Sequence, residues 1–288
     1  MLAVIISRHF LVSAVAKPQM LSSGTVSYTT TLDGVLIKDE KVFKSPSGGR
    51  LRLMEADGRR LEMGGKAAEV IFSEQDAGEV IFEIFTDAAG ILCSHLDGYE
   101  SVLSPRNTGL SEMPSIEKTG VMPISEGVKV DKGQPVFKII DNLSPVYIYG
   151  AVPKSAFAGG YPDQQKTLPA AWQGDSFSIA PGRLSDTGES LEGLFLLSDF
   201  PEQILHQRKV SITVSTRSLR GLLVPERAVV YRDDQPGIYL AVKKKALWTP
   251  VKIEGALSGR AAVSGDGISE GVRFVSNPAL IREGWSVE

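Results

Sequence analysis

The chain has one cysteine and three histidines in 288 residues, few aromatic side chains, and no long apolar run beyond its first residues. Each scarcity removes a class of function. A lone Cys93 excludes an intramolecular disulfide and argues against any Cys-based zinc site. His9, His95 and His206 are too few to suggest a histidine-based metallopeptidase. Basic clustering is confined to Lys243–Lys245, and the net charge is −3, so no nucleic-acid face is expected. That basic run reads as a solvated hairpin tip. There is no Gly-x-Ser-x-Gly elbow in a strand–turn–helix setting; the nearest approach, Ser45–Gly49, lies in a turn. Nor do the glycine-rich turns sit in a βαβ pattern that would cradle a nucleotide. Asp and Glu are scattered beside turns, where solvation and turn hydrogen bonds account for them.

What the chain does have is glycine and proline, 29 and 16 of them, separating short runs of alternating apolar and polar residues. That is the signature of many strands and tight turns. The stretch Ser45–Val70 sets the pattern: a Gly-closed turn, a short strand, the Asp57-Gly58 turn, then Gly58, Leu61 and Gly64 leading into another strand. A second copy is read from Asp87, with Asp97-Gly98 as its turn, finished by Gly127, Val130 and Gly133 on the way to Ile140. Glycine suits such turns because positive φ costs it nothing. Two such half-motifs make one flattened β-sandwich. Phe72–Thr86, two apolar stretches around a small polar turn, reads as a hairpin joining them.

Around this core the chain is read in order. Residues 1–16 are apolar but broken by Arg8 and His9, and fall short of the roughly 20 residues a spanning helix needs. They are taken as the remnant of a membrane anchor; a signal peptide ending near Ala16 and a buried N-terminal helix are the other readings. Lys17–Ser23 reads as a polar linker and Gly24–Thr31 as a strand. Leu103–Gly120 reads as a surface loop. Residues 144–220 carry period-2 runs such as Val210–Ser215, suiting a closed or nearly closed barrel of about six strands. Residues 221–288 form a final turn-rich module.

The doubled half-motif resembles the biotinyl/lipoyl-like hybrid of the HlyD-type membrane-fusion, or periplasmic adaptor, proteins. The tail resembles that family's membrane-proximal module, through Val224–Val230, Gly237–Val242, Trp248–Ile253, Ser269–Pro278 and Ile281–Val287 in order. The resemblance implies an all-β, elongated, modular protein: an N-terminal apolar segment and linker (1–30), a barrel-sandwich hybrid (31–143), a β-barrel (144–220) and a membrane-proximal β module (221–288). It also implies a non-catalytic, self-associating adaptor on the extracytoplasmic face of the cell membrane, partnered with an ABC-type or similar inner-membrane transporter. One departure stands out. Many such adaptors carry a long helical hairpin between the half-motifs, and Phe72–Thr86 is too short for one and shows no heptads. A hairpin-less adaptor, suited to a cell with a single membrane, is expected. A cell-envelope structural or binding module without a transporter is the alternative.

Three chemical readings are weighed against this. Lipoyl-like folds also carry cofactors on a hairpin-tip lysine; Lys66 and Lys132 are the nearest lysines, and Lys132 reads as an ordinary exposed turn residue. Cys93 and His95, two apart, share one face of a strand and offer half a metal site, but no third ligand lies near them in sequence. Trp172, Trp248 and Trp285 are widely separated, and the last two read as packing of the final module. No catalytic, cofactor-binding or metal residue is therefore assigned, and no cofactor is expected.

Overall fold

The computed structural model describes residues 18–74, 78–107, 124–163, 165–279 and 281–287. Among these residues the chain is strand and turn, with a few short 3-10 turns and no α-helix. No helix among them is long and apolar enough to cross a membrane; residues 1–16, read as an anchor remnant, lie outside the described residues. The chain divides into two compact units, residues 30–214 and residues 215–288 together with the segment up to Thr29.

In chain order the strands begin with β1 (Pro18–Met20) and β2 (Ser23–Ile37). The hybrid follows: β3 (Glu40–Lys44), β4 (Gly49–Leu53), β5 (Arg60–Leu61), β6 (Lys66–Glu74), β7 (Gly78–Phe85), β8 (Gly90–Cys93), β9 (Lys129–Val130) and β10 (Pro135–Ile140). Next come β11 (Tyr147–Pro153), β12 (Leu168–Trp172), β13 (Asp175–Asp186), β14 (Ser190–Ser198) and β15 (Lys209–Pro225). The chain ends with β16 (Val229–Arg232), β17 (Gln235–Val242), β18 (Lys245–Pro250), β19 (Lys252–Leu257), β20 (Arg260–Ser264) and β21 (Arg273–Val275).

Within residues 30–214 the hybrid is two four-stranded sheets, β3-β10-β8-β5 and β7-β6-β4-β9. Their orders superimpose when β3, β10, β8 and β5 are mapped onto β7, β6, β4 and β9, so the internal duplication is real. Each sheet mixes strands from both halves, because neither half alone can bury its apolar face. The shared core includes Leu51, Val70, Leu92, Val136 and Phe137, with Phe43 stacked on Phe137 at 4.9 Å between ring centroids. β6 and β7 form the expected hairpin, pairing from Lys66↔Phe85 to Glu74↔Gly78.

Two turn readings need correction. Asp57-Gly58 does not close a hairpin: β4 and β5 lie in different sheets, and the turn carries the chain from one to the other. Its counterpart in the second half is Glu126-Gly127, just before β9, and not Asp97-Gly98; Gly58 and Gly127 share a left-handed φ of 86° and 78°. Nor is Leu103 a surface residue. It is fully buried against Ile37, while Pro105–Asn107 makes one 3-10 turn; residues 108–120 of that loop lie outside the described residues.

Beside the hybrid, six strands close a barrel in the order β12-β13-β14-β11-β2-β15, with β15 pairing back to β12 through Ala170↔Val214 and Ala171↔Thr213. Five of them fall in the expected range. The sixth, β2, comes from before the hybrid and pairs with β11. β14 alternates buried and half-buried positions along its length, and Leu191, Phe195 and Leu197 fill the interior.

The other unit joins β1 to β21 and β21 to β17 in one sheet, and packs β19 and β20 on the end of β15. The polar linker reading is thus overturned at Pro18–Met20, whose backbone pairs with Arg273–Val275. Leu21 is buried with Val224, Ile238 and Phe274. Three residues are too few to show any alternation, so the sequence gives no strand signal there. Lys243 and Lys244 form the tip of the β17–β18 hairpin with φ of 48° and 64°, the two-residue turn whose twist matches the strands. Trp248 and Trp285 pack this unit's second core cluster, as expected.

Candidate functional site

Two polar clusters lie where the hybrid meets the barrel. The first gathers Asp57, Cys93, His95 and His206. Asp57 sits in the β4–β5 turn, which Gly58 and Arg59 zip onto β8: Gly58 N–H donates to Leu92 C=O at 2.9 Å, and Leu92 N–H donates to Arg59 C=O at 2.9 Å. Gly58 needs its left-handed φ for this, which is where a side chain would be strained. The turn presents Asp57 Oδ1 to the Ser94 amide at 2.5 Å and leaves Oδ2 facing two imidazoles. His95 Nδ1 is 3.4 Å from that oxygen and His206 Nδ1 is 3.1 Å from it. Cys93 Sγ lies 3.7 Å from His95 Nδ1. One ligand atom from each of the four residues falls within 4.8 Å of every other.

His206 arrives from the barrel side, at the end of the 3-10 turn Glu202–His206, held down by buried Ile204 and Leu205. Although close to Asp57, its buried Nδ1 is off the line a hydrogen bond requires and has no hydrogen-bond partner among the described residues. The facing Asp57 carboxylate, then the Cys93 sulfur, lift the imidazole to about 9. Burial pushes the Asp57 carboxyl up, but His206 and the Ser94 amide outweigh it and hold the group at about 2.

The second cluster is a buried network of three cations and three anions. Lys138 Nζ pairs with Glu40 at 2.8 Å, Glu100 at 3.3 Å and Asp97 at 3.7 Å. Arg208 pairs with Glu40 and with Asp97, the latter at 2.7 Å, and donates to Leu36 C=O at 2.9 Å. Lys38 lies 3.5 Å from Glu40 and donates to the carbonyls of Leu205 and Gln207, the latter at 2.8 Å. Burial pulls the Lys38 amine down to about 8 against the attraction of Glu40. Burial opposes ionisation of Glu40 too, yet Lys38, Arg208 and Lys138 together keep it below the usual carboxylate range. Lys138 is raised, since Glu40 and Asp97 overcome its burial. This network fastens hybrid residues to the start of β15.

The other residues singled out in the sequence stay apart. Lys132 stands exposed in the Asp131–Gln134 turn. Lys66 is on β6, paired with Glu69 and Glu83. Ser47 lies in a turn, its carbonyl accepting from Ser45 Oγ at 2.6 Å. Trp172 is buried on barrel strand β12. His9 lies outside the described residues. Sequence reasoning found Cys93 and His95 but missed Asp57, read as turn chemistry, and His206, which has no local signature. It also missed the buried ion network. Lys138, a cation inside the apolar run Val136–Ile140, was the available signal, since a charge enters such a run only when paired.

As chemistry, thiol, imidazole and carboxylate in contact invite comparison with a nucleophilic triad. The Cys93 side chain is completely buried, however, and no substrate reaches its sulfur.

Residues 40–141 match the family of RND related, barrel-sandwich hybrid domains. The adaptor-family resemblance is borne out over that domain; the match does not resolve the HlyD type from its relatives. No curated protein sequence matches the chain. Among solved structures, ZneB from Cupriavidus metallidurans aligns over 92% of this chain and 94% of its own at 11% identity and a TM-score of 0.34. MacA from Actinobacillus actinomycetemcomitans aligns over 90% and 99% at 11% identity and 0.37. The membrane fusion protein Spr0693 from Streptococcus pneumoniae R6 aligns over 66% and 100% at 10% identity and 0.32. Scores of this size carry no functional inference.

Proposed function

We propose that this chain is a non-catalytic adaptor subunit of an export or efflux assembly, working on the extracytoplasmic face of a membrane beside an inner-membrane transporter. The observation that carries the reading is the match of residues 40–141 to the RND related hybrid, folded as two interleaved sheets beside a closed six-stranded barrel. The family's description favours an RND-type partner over the ABC type expected from sequence. Where many adaptors carry a long helical arm, the described residues form only the β6–β7 hairpin, nine residues and eight. At about 3.3 Å per strand residue each arm runs roughly 30 Å, so the proposed role is docking and sealing near the transporter, with no reach toward a distant duct.

Self-association is part of the proposal. Among the described residues β7 is the open edge of its sheet, and it exposes Val80, Ile81 and Phe85 at 41%, 49% and 52%, with Phe72 beside Val80 on β6. An apolar, unpaired edge is a surface that needs covering. Changing Ile81 to Lys is expected to shift the protein toward monomer in sedimentation velocity, leaving its thermal midpoint within a few degrees, as for most exposed substitutions.

The decisive experiment is affinity purification from native membranes in mild detergent after chemical cross-linking, with mass spectrometry of what is recovered. Stoichiometric recovery of a transporter permease supports the adaptor role and names the partner. Recovery with envelope proteins alone favours a structural module of the envelope instead.

A further inference from the structure

We propose that Asp57, Cys93, His95 and His206 form a four-ligand site for a zinc-class divalent transition-metal ion, which pins the hybrid to the barrel. The inference is independent of the adaptor role and rests on the geometry of the four side chains.

Bond lengths of about 2.1 Å to nitrogen and oxygen and about 2.3 Å to sulfur place tetrahedral ligand atoms about 3.4 Å (N to O) and about 3.6 Å (N to S) apart. The observed separations are 3.4 and 3.1 Å for the two N-to-O pairs and 3.7 Å for the N-to-S pair. Three of the six edges thus match a tetrahedral site, and the other three lie within 4.8 Å. Cys93 Sγ and His95 Nδ1 are within hydrogen-bonding reach of each other, whereas His206 Nδ1 lies 3.1 Å from a carboxylate oxygen yet makes no hydrogen bond among the described residues. A buried ring nitrogen left without a partner costs free energy unless something else binds it. The two rings meet edge to face at 75°, with centroids 5.9 Å apart, and so are not stacked.

Ligand chemistry narrows the ion. One thiolate, two imidazoles and one carboxylate suit zinc, whereas calcium and magnesium take oxygen ligands almost alone. With the thiol deprotonated, two anionic ligands neutralise a divalent charge, and binding releases to solvent both the thiol proton and the proton carried by the His206 imidazolium. The scaffold is rigid. Cys93 ends a fully buried strand, the Asp57 turn is hydrogen-bonded to that strand, and Asp57 has its second oxygen fixed by the Ser94 amide, the kind of outer contact that orients a metal ligand. All four positions are occupied by protein, which marks a structural site and not a catalytic one. Three ligands belong to the hybrid and His206 to the segment leading into β15, so the ion would tie the two together.

The competing explanation is a plain imidazolium–carboxylate pair beside a buried thiol. Cobalt(II) titration of the full chain under reducing, non-thiol conditions separates the two. The expected result is one cobalt per chain, with intense visible d–d bands of a tetrahedral site and a near-ultraviolet thiolate-to-cobalt band, all removed by stoichiometric zinc. The band should vanish in Cys93→Ser. Affinity should fall more than about a hundredfold, beyond the loss expected for a supporting contact, in both His95→Ala and His206→Ala. His95 is partly exposed, so its variant opens no core cavity and remains informative if His206→Ala folds poorly. Metal should also slow amide exchange in both 202–208 and 54–60. Failure to bind cobalt or zinc stoichiometrically overturns the proposal, as does binding that is unchanged in His95→Ala and Asp57→Asn.

Discussion

The two polar clusters at the hybrid–barrel junction use the same elements to opposite ends. Both draw on the hybrid's loop and strand residues around 93–100 and on the segment 206–208, and Cys93 and Lys138 are register partners on adjacent strands. The ion network is charge-paired. Its three cations answer three anions, nearly every member is buried, and backbone carbonyls take up other donors, while Glu40 Oε1 rests on ion pairing alone among the described residues. The Asp57 cluster sets one carboxylate against two imidazoles and a thiol, with one ligand atom from each within 4.8 Å of every other. A charge-paired network specifies how two modules fit; the second cluster is the one proposed to hold a metal ion.

That contrast predicts unequal mutational costs. Arg208→Ala should be the most damaging single change, since it leaves three buried carboxylates facing only the two amines of Lys38 and Lys138. A loss of about 3–5 kcal/mol in urea unfolding is expected, and a loss below about 1 kcal/mol would show that the network is not formed in solution. Gly58→Ala should come next, at about 1–2 kcal/mol, because its left-handed φ strains any side chain. It should also weaken cobalt binding by displacing Asp57. Asp57→Asn should cost least, about 1 kcal/mol or less without metal, since its carboxylate is one-third exposed. In the presence of zinc the same substitution should cost distinctly more. Equal costs with and without zinc would erase the distinction between the clusters.

Lys38 sharpens the comparison through pH. Burial sets its folded pKa, about 8, below the unfolded value of 10.5. Between those values the unfolded chain binds more protons, so this group makes stability rise with pH, by at most about 1.4 kcal/mol per unit. Below about pH 8 both states are protonated and its contribution is flat. Urea midpoints of wild type and Lys38→Met from pH 7 to above pH 10 should therefore converge or diverge only in the alkaline window, with wild type gaining relative to the variant. Parallel curves would mean that Lys38 is solvated.

What could be read from the sequence was local. The glycine rhythm marks the first half of the hybrid and the end of the second, period-2 alternation marks a barrel strand such as Val210–Ser215, and the basic run at Lys243 and Lys244 marks a hairpin tip. What escaped was long-range. Arg208 and Asp97 are 111 residues apart when they pair, and nothing near Ser23–Ile37 says that its partner strand begins at Tyr147. Pro18–Met20 is too short to show a period. The metal-type cluster lay half within reach, as Cys-x-His, while its other half was hidden in a turn and at the end of a 3-10 segment.

The placement of β2 has a consequence for how the chain is assembled as it is made. Ile37 and Tyr147 are cross-strand neighbours, so the whole hybrid leaves and re-enters the barrel at one point, like a guest inserted at the tip of a hairpin. The host's first strand emerges from the ribosome, must wait while an entire domain is synthesised, and finds its last partner only when β15 appears. Bridging so long an interruption is cheap if the guest folds promptly, because its closely spaced ends then shorten the loop that β2 and β11 must close. The hybrid would thus be the first part of residues 30–214 to fold, and the barrel would close around a linker that its guest has already drawn tight.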